Sequence, residues 1–113
     1  RALQKRGIPA HCFIIPAGET SKSFSLVQSI YDWLVERRAE RGHPIIAVGG
    51  GVVGDLAGFV AATFLRGVPF VQAPTSMAAM VDASIGGKVA VNLPQAKNLV
   101  GAFYQPRGVF ADV

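Results

Sequence analysis

Residues 45–55 read Ile45-Ile-Ala-Val-Gly-Gly-Gly-Val-Val-Gly-Asp55. The first four are an unbroken apolar run, which suits a strand covered on both faces; a strand wetted on one face would alternate. Gly49–Gly51 then turns the chain. Val53–Phe64 is dominated by small and apolar residues, so it reads as a buried helix, and Gly67 is placed to end it. A strand, a glycine turn and a helix in that order form the unit from which parallel α/β sheets are built.

The flanking sequence fits the same plan. Downstream, Val68–Ala73 reads as the next strand. Thr75 or Ser76 caps a short helix running to about Ala83, and Gly86-Gly87 stops it. Residues 88–92 look extended, 95–103 helical and 108–113 a final strand. Upstream, His11–Ile15 reads as a short buried strand, broken by Pro16-Ala-Gly-Glu19. Ser21 or Ser23 then caps a helix whose apolar face is Phe24, Val27, Tyr31, Leu34 and Val35, with Gly42 as its terminator. The expected fold is α/β, Rossmann-like, a mostly parallel sheet with flanking helices.

The 113 residues suit one ordinary domain. Half are hydrophobic and 16% charged, as in a globular chain. No apolar run reaches the ~18 residues that span a bilayer, and the N-terminal RALQKRG has no signal-peptide core. The chain opens on Arg1 rather than Met, which reads as a fragment or a processed chain. Cys12 is the only cysteine. It sits in an apolar run, so it is expected to be a buried thiol, and a lone cysteine fits a reducing, cytoplasmic setting. The net charge of +4 is dispersed except at Arg37, Arg38 and Arg41, which complement a helix C-terminus. Nucleic-acid binding would want a basic stripe interleaved with stacking aromatics; the pattern favours a small anionic metabolite instead.

Gly49-x-Gly51-x-x-Gly54 after a strand and before a helix satisfies the dinucleotide fingerprint. Glycines let the backbone approach a pyrophosphate, and the helix start offers free N–H groups. The acid found about 20 residues further on in an ordinary Rossmann unit is missing; Gly67-Val-Pro-Phe-Val71 fills that window. A tight turn without ligand stays open as an alternative. Asp55 serves either as a plain first-turn acid or as a hydrogen-bond acceptor for a ligand. Glu19 and Lys22 belong either to a solvated capping segment or, with Glu19 on ribose hydroxyls, to the site.

Asp82, Lys88, Asn92, Lys97 and Asn98 are concentrated in one stretch with Gly86-Gly87. Walker spacing fails, because Asp82 stands where a glycine is needed and Val89 follows the lysine. Two lysines beside amides and glycines still suit a phosphate or carboxylate clamp, at about 1.5–3 kcal/mol per charge-assisted contact; solvated surface lysines are the alternative. His11 and His43 stand alone, without ligand spacing, and are read as structural or surface residues, so no metal ligand is assigned.

Taken in order, Gly18-Glu-x-x-Lys22, Gly49-Gly-Gly-Val-Val-Gly-Asp55, Pro74-Thr-Ser76, Val81-Asp-Ala-Ser-Ile-Gly-Gly-Lys88, Asn92, Lys97-Asn98 and Gly101-Ala-Phe-Tyr-Gln-Pro106 resemble the 3-dehydroquinate synthase family over nearly the whole chain. The resemblance implies an NAD- and metal-dependent lyase of the shikimate pathway. Such an enzyme converts 3-deoxy-D-arabino-heptulosonate 7-phosphate to 3-dehydroquinate and phosphate, and works as a homodimer. It implies that Ala17, Gly18, Glu19, Thr20, Ser21 and Lys22 meet the adenosine end of NAD. Gly50, Gly51, Val52, Val53, Gly54 and Asp55 would hold the pyrophosphate, and Thr75 and Ser76 would also touch the cofactor. Asp82 and Lys88 would lie where nicotinamide and substrate meet. Lys97 and Asn98 would bind cofactor or the substrate's anionic groups. Arg66 would reach the substrate phosphate across the dimer interface. Departures are Ser76 for a usual Thr, Ala17 for a common Asp, and Val89-Ala90 for a usual Thr-Gly. The family's zinc or cobalt ligands, one Glu and two His, belong to a helical domain expected beyond Val113, and the first strands of the nucleotide domain are expected before Arg1. The chain is thus expected to be a partial NAD-binding domain, inactive alone. A sister sugar-phosphate cyclase and an iron-type alcohol or glycerol dehydrogenase are the enzyme alternatives.

Overall fold

Ser23 starts the first helix, α1 (Phe24–Glu36). Its backbone is extended, and its Oγ accepts the Leu26 N–H at 3.3 Å, satisfying one of the helix's orphan donors. The computed structural model describes residues 10–16, 18, 22–80, 88–93 and 96–110. Val27, Ile30 and Leu34 form the buried stripe of α1. Phe24 and Val35 were expected there, but they are 44% and 65% exposed. The stripe is centred on spacings of three and four through Ile30, which rotates Val35 outward; Phe24, at the flank, meets Phe59 edge-on at 6.0 Å. The helix also stops well before Gly42. Arg38 takes the left-handed conformation (φ 55°), and the Arg37 and Arg38 N–H groups close onto Trp33 and Val35 carbonyls. The Arg37 guanidinium lies over the Trp33 ring, 5.1 Å from its centre.

Strand β1 (Ile45–Gly49) leads through Gly50 into α2 (Gly51–Thr63), and β2 (Phe70–Pro74) lies parallel to β1, Ile45 opposite Phe70 and Gly49 opposite Pro74. All six residues from Leu56 to Ala61 are buried. A helix apolar all round needs cover all round; α2 packs on β1 and β2, touches α1, and meets strand β3 (Lys88–Leu93). Tyr31 of α1 stacks on Phe64, and its hydroxyl is hydrogen-bonded to Thr63 Oγ1.

After α2 a 3-10 turn, Phe64–Arg66, contains Leu65 (φ 51°), Arg66 (φ 65°) and then Gly67 (φ 120°), three consecutive residues with positive φ. Behind it Val68 N–H donates to Ala61 O at 2.8 Å, and the Tyr104 hydroxyl donates to Val68 O at 2.6 Å.

The expected helix over 95–103 is a strand, β4 (Ala96–Phe103), antiparallel to β3 with Lys88 opposite Phe103 and Val89 opposite Ala102. The segment is short and carries Gly101, which weakens a helix. Pairing with β3 satisfies its backbone groups instead. The hairpin stands apart from the parallel sheet, whose order is β1-β2-β5, with β5 limited to Gly108–Val109. The expectation of a parallel α/β sheet with helices holds, with this antiparallel ribbon added.

Residues 10–16 form no strand, against expectation. Only Ala10, Phe13 and Ile15 there are half-buried, Phe13 meeting Trp33 edge-on at 5.5 Å, while Ile14 is 82% exposed and Cys12 is exposed rather than buried. Among the described residues no strand runs beside this segment to complete a ladder. The core sits between α1, α2, the sheet and β3, around Val27, Leu56, Val60, Val68, Phe70 and Val91.

Candidate functional site

The parallel register sets the C-terminal ends of β1 and β2 side by side. Gly49 lies opposite Pro74, and Thr75 N–H donates to Gly49 O at 2.9 Å. The glycine turn and the Thr75-Ser76 pair therefore share one rim, the end of an open parallel sheet where α/β folds hold ligands. Gly49 has φ +152°, and a Cβ there would meet Val53 Cγ2 at 2.9 Å. Gly50 is the N-cap of α2 with no side chain capping the helix, and a Cβ on Gly51 would point into open space. The first-turn N–H groups of α2 thus face a rim lined by backbone, which fits a dinucleotide phosphate.

Ser76 Oγ lies 3.8 Å from the Cβ position of Gly50 and accepts the Ala79 N–H at 3.1 Å, starting a helical turn over 77–80. Thr75 and Ser76 are both exposed.

Lys22 and Asp55 come together although 33 residues apart. Lys22 Nζ donates to Asp55 Oδ2 at 2.8 Å, with the Lys22 side chain 3% and that of Asp55 35% exposed. Asp55 is the fifth residue of α2, in its second turn, where sequence reading expected a first-turn acid. Its electrostatic role is set by Lys22 rather than by the helix end.

Of the other expected site residues, Gly18 has φ 110° and is exposed, Gly54 N–H bonds to Gly50 O, and Val52 and Val53 are half-buried in the first turn of α2. Lys88 opens β3, whereas Lys97 and Asn98 lie toward the turn end of β4. Ala17, Glu19, Thr20, Ser21 and Asp82 lie outside the described residues. Arg66 is exposed at the far end of α2, roughly 20 Å from the glycine turn at ~1.5 Å per residue. The fold does not bring it to this rim. His43 Nδ1 accepts the Glu40 backbone N–H, and His11 packs edge-on to Trp33.

Sequence reading missed Gln72. This residue of β2 places its Nε2 3.3 Å from the Cβ position of Gly54, and its buried Oε1 has no hydrogen-bond partner among the described residues. The available signal was a lone amide inside the apolar Phe70-Val-Gln-Ala73 run.

The family model described as 3-dehydroquinate synthase N-terminal matches residues 12–113. The chain belongs to that family. The 3-dehydroquinate synthase of Rippkaea orientalis is 58% identical over 111 residues, which is 98% of this chain and 30% of that protein. The chain therefore spans less than a third of this curated relative. Among solved structures, a 2-deoxy-scyllo-inosose synthase complexed with carbaglucose-6-phosphate, NAD+ and Co2+ superposes with a TM-score of 0.91 at 38% identity, over 98% of this chain and 30% of that one. The 2-epi-5-epi-valiolone synthase of Streptomyces hygroscopicus, with NAD+ and Zn2+ bound, has a TM-score of 0.90 at 32% identity, over 97% and 31%. The 3-dehydroquinate synthase N-terminal fold is thus shared with cyclases of different product.

Proposed function

We propose that this chain is the nucleotide-holding part of a 3-dehydroquinate synthase, which converts 3-deoxy-D-arabino-heptulosonate 7-phosphate to 3-dehydroquinate and phosphate with NAD and a divalent metal. The observation that carries the reading is the rim itself: an uncapped glycine turn beside Thr75 and Ser76, with Lys22 and Asp55 paired alongside. Identity to curated synthases, higher than to the solved cyclases, favours this product over a sister carbocycle.

NAD, when bound, supplies reversible hydride acceptance from a substrate ring hydroxyl. The α2 N–H groups and the glycine backbone bind its pyrophosphate, and Thr75 and Ser76 hydroxyls orient it from the neighbouring strand end. Family resemblance assigns Asp82, Lys88, Lys97 and Asn98 to the substrate side, where the lysines would hold phosphate or carboxylate. Arg66 lies too far along α2 to act on this rim, so its reading as a phosphate ligand requires a second protomer in a homodimer. In this reading the divalent metal is held by one Glu and two His of a further, helical domain of the full-length protein.

The test is turnover by the full-length protein, followed by phosphate release and by absorbance of reduced cofactor. Phosphate and dehydroquinate should appear without net NADH. Steady NADH production would replace the synthase reading with a dehydrogenase one.

A further inference from the structure

Leu65 and Arg66 both take the left-handed backbone conformation (φ 51° and 65°), and Gly67 follows at φ 120°. Glycine enters positive φ freely, whereas leucine and arginine do so at a cost. Such residues persist only where the surroundings over-determine them, and they gather at functional sites. Both side chains are exposed, so their burial does not impose the bend.

Three hydrogen bonds hold the backbone here. Gly67 N–H donates to Phe64 O at 2.9 Å and Val68 N–H to Ala61 O at 2.8 Å, both from within the bend and the end of α2. The third comes from the hairpin. Tyr104, directly after β4, donates its hydroxyl to Val68 O at 2.6 Å, across 36 residues of chain. The same hydroxyl lies 3.2 Å from the place a Cβ would take on Gly67. We propose that Tyr104 is a positioning residue for Arg66. Its half-buried side chain pins the backbone just after the bend, and so fixes the frame from which the Arg66 guanidinium meets an anionic group. Guanidinium and phosphate pair through parallel, oriented N–H···O contacts, so a bend that drifts loses binding before the fold is lost. The inference rests on the reading of Arg66 as a ligand of the substrate phosphate held by a second protomer. It adds a residue of the hairpin that acts through Arg66.

The test compares steady-state kinetics of full-length variants, with melting curves and NAD titration alongside. Tyr104→Phe removes one oxygen and keeps the ring. It should raise KM for 3-deoxy-D-arabino-heptulosonate 7-phosphate about three- to tenfold. NAD affinity should change less than about twofold, because the glycine turn lies at the opposite end of α2. Arg66→Ala should raise KM at least about tenfold, and in that background Tyr104→Phe should add nothing. Where Tyr104→Phe does not fold, the same comparison is made with Leu65→Asn added throughout, because asparagine accepts the left-handed backbone. Unchanged KM with a lowered melting temperature would overturn the proposal and leave Tyr104 a structural tie. A further rise in KM when Tyr104→Phe is added to Arg66→Ala would also overturn it, since Tyr104 would then act without Arg66. Absence of turnover in the unaltered protein, or an unchanged KM in Arg66→Ala, removes the reading beneath the inference and the inference with it. Either result is distinct from the first two.

Discussion

Gly58 and Val89 are in such close contact that a Cβ built on Gly58 would lie 2.2 Å from Val89 Cγ1. The same position is 3.0 Å from the Phe70 ring. Gly58 is therefore where α2, the parallel sheet and the β3–β4 hairpin meet. Glycine within a helix costs roughly 1 kcal/mol relative to alanine, and here the absent side chain is what lets three elements pack. Gly58→Ala should destabilise the protein by about 1–3 kcal/mol through overpacking, despite its better helix propensity. Gly58→Ala/Val89→Ala should recover part of that loss. Denaturant unfolding of the full-length protein checks both, and an unchanged midpoint for Gly58→Ala would show that the hairpin yields freely.

Gly49 sets the direction of the turn. Its φ of +152° is one that residues with a side chain rarely adopt, and Val53 Cγ2 would be 2.9 Å from the added carbon. Gly49→Ala should cost about 1–3 kcal/mol of strain and raise the NAD Kd about tenfold, equivalent to roughly 1.4 kcal/mol. Adding Val53→Ala removes the Cγ2 contact and leaves Val53 Cβ at 3.1 Å together with the backbone strain, so recovery should be partial. Full recovery in an NAD titration would show that the clash alone matters.

The segment 45–64 was readable because its signals are local: an unbroken apolar run, a glycine triplet, then a helix of small residues, found as Ile45–Gly49 and Gly51–Thr63. Segment 96–103 was not. Its fate depends on β3, and nothing within Ala96–Phe103 records that Val89 must stand opposite Ala102 and against Gly58. Cys12 and Ile14 read as core from composition, yet lie exposed where no neighbouring strand is described. In the site, residues on one turn were legible by motif. The Lys22–Asp55 pair spans 33 residues, and no local pattern announces it. Gln72 looked like an odd member of a strand, and its burial against α2 is a product of packing.

Ser76 has two neighbours of different kind, the Gly50 backbone and the Ala79 N–H. Ser76→Ala removes the hydroxyl that starts the turn over 77–80 and should cost about 0.5–2 kcal/mol. Ser76→Thr keeps the oxygen and should change stability by less than about 0.5 kcal/mol, with NAD affinity retained. If alanine and threonine behave alike in melting and in NAD titration, the hydroxyl serves neither purpose.

Lys88 is one residue from Val89, whose side chain is locked between α2 and the sheet, so the backbone that carries Lys88 is anchored. An anchored lysine after a glycine pair suits charge-assisted contact with an anionic substrate, worth about 1.5–3 kcal/mol. Lys88→Ala should therefore lower kcat/KM of the full-length enzyme by roughly ten- to a hundredfold or more. Its melting temperature should barely move. Lys88→Arg keeps the charge and should retain more activity than alanine. Steady-state kinetics alongside melting curves decide the matter: unchanged kinetics in Lys88→Ala would remove Lys88 from the active site, and a loss of activity matched by a loss of fold would assign it to structure.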